Sequence, residues 1–269
     1  MKKFLFFIFS AVCIGIILPA KTYAFDLTVG ATTWYAVWEI KADGESHNGS
    51  QDVKKDKASF LYGPVLSSKI TDDFSISFVY LYGKFNIKLD SDALGVHERA
   101  KYKRNDGDLA LNYRLNNYFK VFVELKYVGF DIPYKVVLAP APYTRREIYI
   151  KHHGYGSGLG LSFTCPISYN LFLLCNISGL YLRGREKLEV PSNSYYNSGY
   201  NEKCKEYGIN SSLSIAYNIT PASIVINLGG RYQYVRTVYE GTVFENGKLS
   251  DITNHIYGTT LTATYTFSF

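Results

Sequence analysis

Residues 108–126 read Asp-Leu-Ala-Leu-Asn-Tyr-Arg-Leu-Asn-Asn-Tyr-Phe-Lys-Val-Phe-Val-Glu-Leu-Lys, and this stretch decides the fold. Before the Asn116-Asn117 pair, Leu109, Leu111, Tyr113 and Leu115 alternate with Asp108, Ala110, Asn112 and Arg114. After it, Phe119, Val121, Val123, Leu125 and Tyr127 alternate with Lys120, Phe122, Glu124 and Lys126. Successive side chains of a strand point to opposite faces, so each half makes one apolar and one mostly polar surface. An Asn pair between two such runs supplies turn chemistry. The stretch is therefore a β-hairpin, apolar on one side.

Outward from this hairpin the pattern repeats. Ten runs are legible: Leu27–Ile40, Ser59–Ser67, Phe74–Ile87, Asp106–Leu115, Tyr118–Phe130, Gly154–Cys165, Leu171–Arg183, Lys205–Asn218, Ser223–Val235 and His255–Phe269. In the third, Phe74, Ile76, Phe78, Tyr80 and Tyr82 oppose Ser75, Ser77 and Gly83. In the ninth, Ile224, Ile226, Leu228, Tyr232 and Tyr234 oppose Asn227, Gly229, Arg231 and Gln233. The second run is the least regular, because Pro64 removes a ladder donor.

Alternation of this kind also suits a soluble sandwich with one wet face. Three features point instead to a membrane barrel. The runs are longer than the five or six residues usual in sandwiches and match the roughly 9–11 of a tilted spanning strand. Short links at Lys69–Asp73, Asn116–Asn117, Pro166–Asn170 and Ile219–Ala222 alternate with long polar links at Lys41–Lys57, Lys88–Asn105, Asp131–His153, Gly184–Cys204 and Arg236–Asn254. That order is expected of short periplasmic turns and long outer loops. Finally, Tyr113, Phe119, Phe163, Tyr217 and Tyr265 mark one end of the apolar faces, and Tyr80, Tyr82, Tyr127, Tyr181, Tyr207 and Tyr257 the other. Amphipathic rings collect at the two margins of a bilayer. The 16% aromatic content, with 25 Tyr against 2 Trp, fits such girdles.

The first 24 residues read as a secretory signal: Lys2 and Lys3, an apolar run from Phe4 to Leu18, then Thr22-Tyr23-Ala24 with cleavage expected after Ala24. The expected domains are thus a signal peptide over 1–24 and one barrel over 25–269. Three of the 29 basic residues lie in this leader, leaving 26 against 23 acidic ones, a net charge of +3. This balance argues for neither a nucleic-acid partner nor a polyanionic ligand.

The chain ends Leu261-Thr262-Ala263-Thr264-Tyr265-Thr266-Phe267-Ser268-Phe269. Apolar residues on alternate positions and a final Phe resemble the terminal-strand signature of bacterial outer-membrane β-barrels. The resemblance implies an antiparallel transmembrane barrel in the outer membrane with both ends periplasmic, which needs an even number of strands; the ten runs counted above supply it. It also implies lipids as surroundings and the barrel-assembly machinery as a partner through the strand ending at Phe269. Closing the first strand on the last removes sheet edges that hydrocarbon cannot solvate.

Parity places Asp108, Arg114, Lys120, Glu124, Lys126, Glu206 and Arg231 in the lumen, with Arg114 and Lys120 near the periplasmic mouth. Such a set serves either as a charged constriction for small polar solutes or as a self-paired network filling a narrow barrel. The first makes the protein a porin-like channel. The second makes it a plugged surface adhesin or structural barrel meeting surface ligands. Gly154, Gly156, Gly158 and Gly160 share one face of the sixth run. This stripe widens a pore, lets neighbouring side chains cross the lumen, or marks a bend.

A ten-stranded barrel is also the architecture of the omptin surface proteases, which use Asp and His at the outer rim. Asp106, Asp108, His152 and His153 fall near that height, with Asp251 and His255 as looser candidates. The flanking sequence departs from the omptin motifs. No Gly-x-Ser-x-Gly elbow, P-loop or zinc pattern occurs, so no catalytic residue, cofactor or metal is expected.

Cys165, Cys175 and Cys204 remain after the leader. Cys165 and Cys175 share outward parity about the third short turn. They face each other if the turn centres on Tyr169-Asn170, and are offset if it centres on Ser168. Cys204 is expected free at a loop end. The outer links, such as Ser192-Asn193-Ser194-Tyr195-Tyr196-Asn197, carry adaptable contact chemistry or are simply solvated.

Overall fold

The computed structural model describes residues 26–43, 54–55, 57–91, 96–138, 144–189, 201–240, 242–244, 247–248 and 251–268. The expected signal peptide, Phe269 and segment 190–200 lie outside them. Ten long antiparallel strands follow one another up and down: β1 (Asp26–Asp43), β2 (Ser59–Lys69), β3 (Phe74–Ser91), β4 (Val96–Arg114), β5 (Phe119–Leu138), β6 (Thr144–Ser168), β7 (Leu171–Glu189), β8 (Asn201–Ile219), β9 (Ile224–Tyr239) and β10 (Asp251–Ser268). Each pairs with its neighbours in sequence, and β10 pairs with β1 from Asp26↔Ser268 to Asp43↔Asp251. The sheet is closed, so its backbone groups are paired around the ring.

All ten expected runs are strands, but most continue further at the outer end. Here β4 starts at Val96 instead of Asp106, and β6 at Thr144 instead of Gly154. Beyond the bilayer neither face needs to be apolar. His97, Glu98, Arg99, Lys101 and Lys103 therefore break the two-residue contrast while the ladder continues. Much of what reads as long polar link is strand.

Pro64 behaves as its chemistry demands. It pairs with Ala31 of β1, but the β2–β3 ladder lapses between Tyr62↔Tyr82 and Val65↔Val79 without losing register. A Cβ on the adjacent Gly63 would run into the Tyr80 carbonyl, so that position accepts only glycine at this backbone approach.

Two of the short turns are held by side chains within them. Asn116 Oδ1 accepts the backbone N–H groups of Tyr118 at 2.8 Å and Phe119 at 2.9 Å. Thr71 Oγ1 accepts those of Asp73 at 3.3 Å and Phe74 at 3.0 Å. These local bonds fix the hairpins and hence the register.

The outer wall carries an apolar belt. Leu125, Leu159, Leu213, Ile215, Leu228 and Leu261 are each at least half exposed. A ring of this extent is built for lipid and not for water. Phe119 and Phe163 touch at 5.0 Å on its inner margin, and Tyr181 and Tyr207 at 5.4 Å on its outer one.

Candidate functional site

The lumen is stratified along the strands. Next to the short turns it is lined by small polar side chains. Thr28 and Thr266 hydroxyls meet at 2.9 Å, those of Thr32 and Thr262 at 2.6 Å, and Asn176 Nδ2 donates to Ser212 Oγ at 3.1 Å.

Above this lies a charged layer. Asp108 of β4 stands directly opposite Lys126 of β5, and Ala110 opposite Glu124. The Lys126 ammonium bridges Asp106 and Asp108, reaching Asp108 Oδ1 at 2.7 Å. Arg104 donates through Nε at 3.1 Å and Nη2 at 2.9 Å to Asp106 Oδ2. From across the lumen Arg231 donates to Asp108 Oδ2 at 3.1 Å and to Asn210 Oδ1 at 3.1 Å. Glu124 accepts the Ser178 hydroxyl at 2.5 Å. Three cations, Arg104, Lys126 and Arg231, are thus balanced by Asp106, Asp108 and Glu124 within one layer. Buried charge is tolerated when it is paired and hydrogen-bonded in this way.

Two tryptophans of β1 cap the cations. Arg231 lies over the Trp34 ring at 4.7 Å, and Arg104 over the Trp38 ring at 5.0 Å. Trp38 is packed edge-on by Phe85, Tyr102 and Phe130 and donates Nε1–H to Asn254 Oδ1 at 3.1 Å. Leu61, Leu81 and Ile256 complete this buried cluster.

The residues expected in the lumen divide accordingly. Asp108, Glu124, Lys126, Glu206 and Arg231 are inside. Lys120 is half-buried near the mouth. Arg114 is instead at the rim, 42% exposed and ion-paired to Asp73 of the neighbouring turn at 3.3 Å. It sits on the last residue of β4, where a long side chain reaches water in preference to the lumen. Arg104 and the two tryptophans escape a reading of the sequence. Extending the parity of Asp108 and Asp106 by one step reaches Arg104, but that residue falls in a stretch that looks like link.

The β6 glycines make room. A Cβ on Gly160 would strike Phe122 Cζ, one on Gly158 would lie 2.8 Å from Glu124 Oε1, and one on Gly154 would lie 2.5 Å from Glu206 Oε1. Side chains of β5 and β8 therefore cross over the bare strand.

The omptin-like candidates are occupied elsewhere. Asp106 is held by Arg104 and Lys126, while His152 Nε2 is hydrogen-bonded to the Glu206 carboxylate at 2.8 Å and its ring stacks on Phe130 at 4.4 Å. His153 meets the Tyr127 hydroxyl, His255 that of Tyr232, and Asp251 pairs with Arg236. The three cysteines are free thiols. A bulge between Pro166 and Ser168 sets Cys175 opposite Phe163 and Cys165 opposite Leu173, so the two sit diagonally. Cys204 lies within β8, buried beside Glu206, and not at a loop end.

On the outer wall, just above Tyr155 and Tyr181, a cavity of about 890 Å³ opens over β6, β7 and β8. Lys151, Arg183, Arg185, Lys187, Lys203 and Lys205 line it. Lys151 and Lys187 both bond Glu189, at 2.6 and 3.0 Å, and hold its carboxyl below the usual range. Lys205 does the same to Glu240 at 2.8 Å. The remaining cations leave the groove strongly positive.

No family model and no curated protein sequence matches the chain. Among solved structures it is similar to the outer membrane protease OmpT from Escherichia coli, with TM-score 0.57 and 12% identity over 93% of this chain and 99% of that one. Other similar structures are the translocator domain of autotransporter NalP from Neisseria meningitidis, at 0.46 and 11% over 95% and 92%, and Ail from Yersinia pestis, at 0.35 and 14% over 89% and 98%. At such identities the likeness is one of fold, and a fold assigns no chemistry. With its closed sheet, lipid-facing belt and aromatic margins, this chain has the fold of a bacterial outer-membrane β-barrel, with ten long strands.

Proposed function

We propose that this protein is a barrel plugged by its own side chains that works through its outer face, as a structural or surface-interaction barrel. The observation that carries this reading is the section through Trp38, Arg104 and Lys126, which are 0%, 2% and 2% exposed. A water-filled pore keeps its lining charges wet, whereas here each cation has a carboxylate partner and two are capped by indole rings. The outward basic groove gives that outer face a partner chemistry, the anionic headgroups of surrounding lipid.

A porin-like passage for small polar solutes is the second reading. The hydroxyl- and amide-lined periplasmic half of the lumen favours it, but the charged layer would have to part. The hydrolase reading draws least support, since Asp106 and His152 are each engaged by other buried groups. Planar-bilayer recording of the refolded mature chain tests the proposal. Silence is expected; discrete conductance steps would overturn it in favour of the channel.

A further inference from the structure

Outward of the aromatic plug, His152 of β6, Cys204 of β8 and Glu206 of β8 converge, all buried. Their imidazole nitrogen, thiol and carboxylate oxygen lie within 4.8 Å of one another. We propose that these three side chains form a binding site for one transition-metal dication of the zinc type.

The donor set is the first support. Imidazole and thiolate suit Zn²⁺ and Co²⁺, and a carboxylate completes a three-ligand site with one open position. The spacing is the second. Tetrahedral bonds of about 2.0–2.3 Å place ligand atoms about 3.3–3.7 Å apart. Here His152 Nε2 and Glu206 Oε1 are 2.8 Å apart, and Cys204 Sγ and Glu206 Oε1 are 4.0 Å apart. With all three donor atoms within 4.8 Å of one another, movements of up to about an ångström at the side-chain ends would seat an ion.

The surroundings are the third. The other imidazole nitrogen, His152 Nδ1, faces Glu186 Oε2 at 3.6 Å, and the Tyr239 hydroxyl donates to the same oxygen at 2.7 Å. A carboxylate behind a ligating histidine fixes its tautomer and orientation, and Tyr239 in turn orients the carboxylate. Space is also provided. Gly154 and Gly184 face each other across the β6–β7 ladder, and Cys204 faces Gly184 across the next. A Cβ on Gly184 would lie 2.4 Å from Glu206 Oε1 and 2.6 Å from Cys204 Sγ. The two glycines thus leave a cradle that the cluster fills. Binding would release protons, since thiolate and neutral imidazole are the ligating forms.

The test is titration of the refolded mature chain with Co²⁺. One equivalent should bind, with thiolate-to-cobalt charge-transfer absorption in the near ultraviolet that Zn²⁺ abolishes on displacement. Cys204→Ser should remove the band, while Cys165→Ser/Cys175→Ser should keep it. Glu186→Gln, which touches no ligand atom but loses the anion behind His152, should weaken binding about 10–100-fold. Circular dichroism and the heat-modifiable electrophoretic shift verify that each variant is folded. No band from folded wild-type chain, or a band that survives Cys204→Ser, overturns the proposal.

Discussion

Lys126 and Asp108 face each other across the β4–β5 ladder inside the barrel, 2.7 Å apart, and Lys126 also holds Asp106. One ammonium therefore serves one buried and one partly buried carboxylate. Lys126→Met would leave both short of a cation, and removing one partner of a buried pair costs about 3–5 kcal/mol. Urea unfolding in lipid vesicles should show a loss of this size, with Lys126→Arg retaining most of the wild-type stability. A loss below about 1 kcal/mol would mean that the layer is wet and well screened.

Glu124 distinguishes a plug from a constriction. Glu124→Gln keeps an oxygen that accepts the Ser178 hydroxyl but removes a lumen charge. In a plugged barrel it alters thermal stability alone. A change in ion selectivity of any conducting species would assign Glu124 to a permeation path. The complementary variant is Trp38→Ala/Lys126→Ala, which deletes two large buried side chains from the section; the silent wild type should then acquire conductance steps.

Gly160 and Phe122 form a coupled pair, because a Cβ at 160 would lie 2.3 Å from Phe122 Cζ and 2.6 Å from the Ile177 carbonyl. Gly160→Ala should cost about 1–3 kcal/mol, as overpacking does. In a Phe122→Leu background the cost should fall, though not vanish, since the carbonyl contact remains. A double-mutant cycle measured by denaturant unfolding gives the coupling directly. Simple additivity would show that Phe122 does not lie across β6.

These cases show where the sequence speaks and where it stops. Leu109, Leu111 and Tyr113 against Asp108, Ala110 and Asn112 announce a spanning strand, because lipid demands an unbroken apolar face. Arg104 is silent, because above the lipid margin its neighbours Lys101 and Lys103 are charged on the other face as well. Side-chain parity still assigns Asp108, Glu124, Lys126 and Arg231 to the lumen, since it depends only on counting by two. It says nothing of who meets whom. That Arg231 of β9 reaches Asp108 of β4, or Trp38 of β1 reaches Phe130 of β5, follows from the tilt of a closed barrel. Likewise, the bulge at Pro166–Ser168 decides the placing of Cys165 and Cys175, and a bulge leaves no mark in composition.

The basic groove yields the last prediction. Arg183, Arg185 and Lys203 point outward just above the aromatic margin, at the level of headgroups, and among them they carry three positive charges near the mouth of one cavity. A phosphate-bearing glycolipid should therefore raise the thermal midpoint of the refolded barrel more than a zwitterionic lipid does. Each cation near an anionic surface contributes about 1 kcal/mol, and the effect fades within a Debye length of about 8 Å at physiological salt. The difference should shrink in 1 M NaCl and should disappear in Arg183→Ser/Arg185→Ser/Lys203→Ser. Lys69→Ser, at the opposite end of the barrel and paired there with Asp72, should leave it untouched. If the triple variant keeps the full lipid response, the stabilisation comes from the apolar belt alone and the groove takes no headgroup.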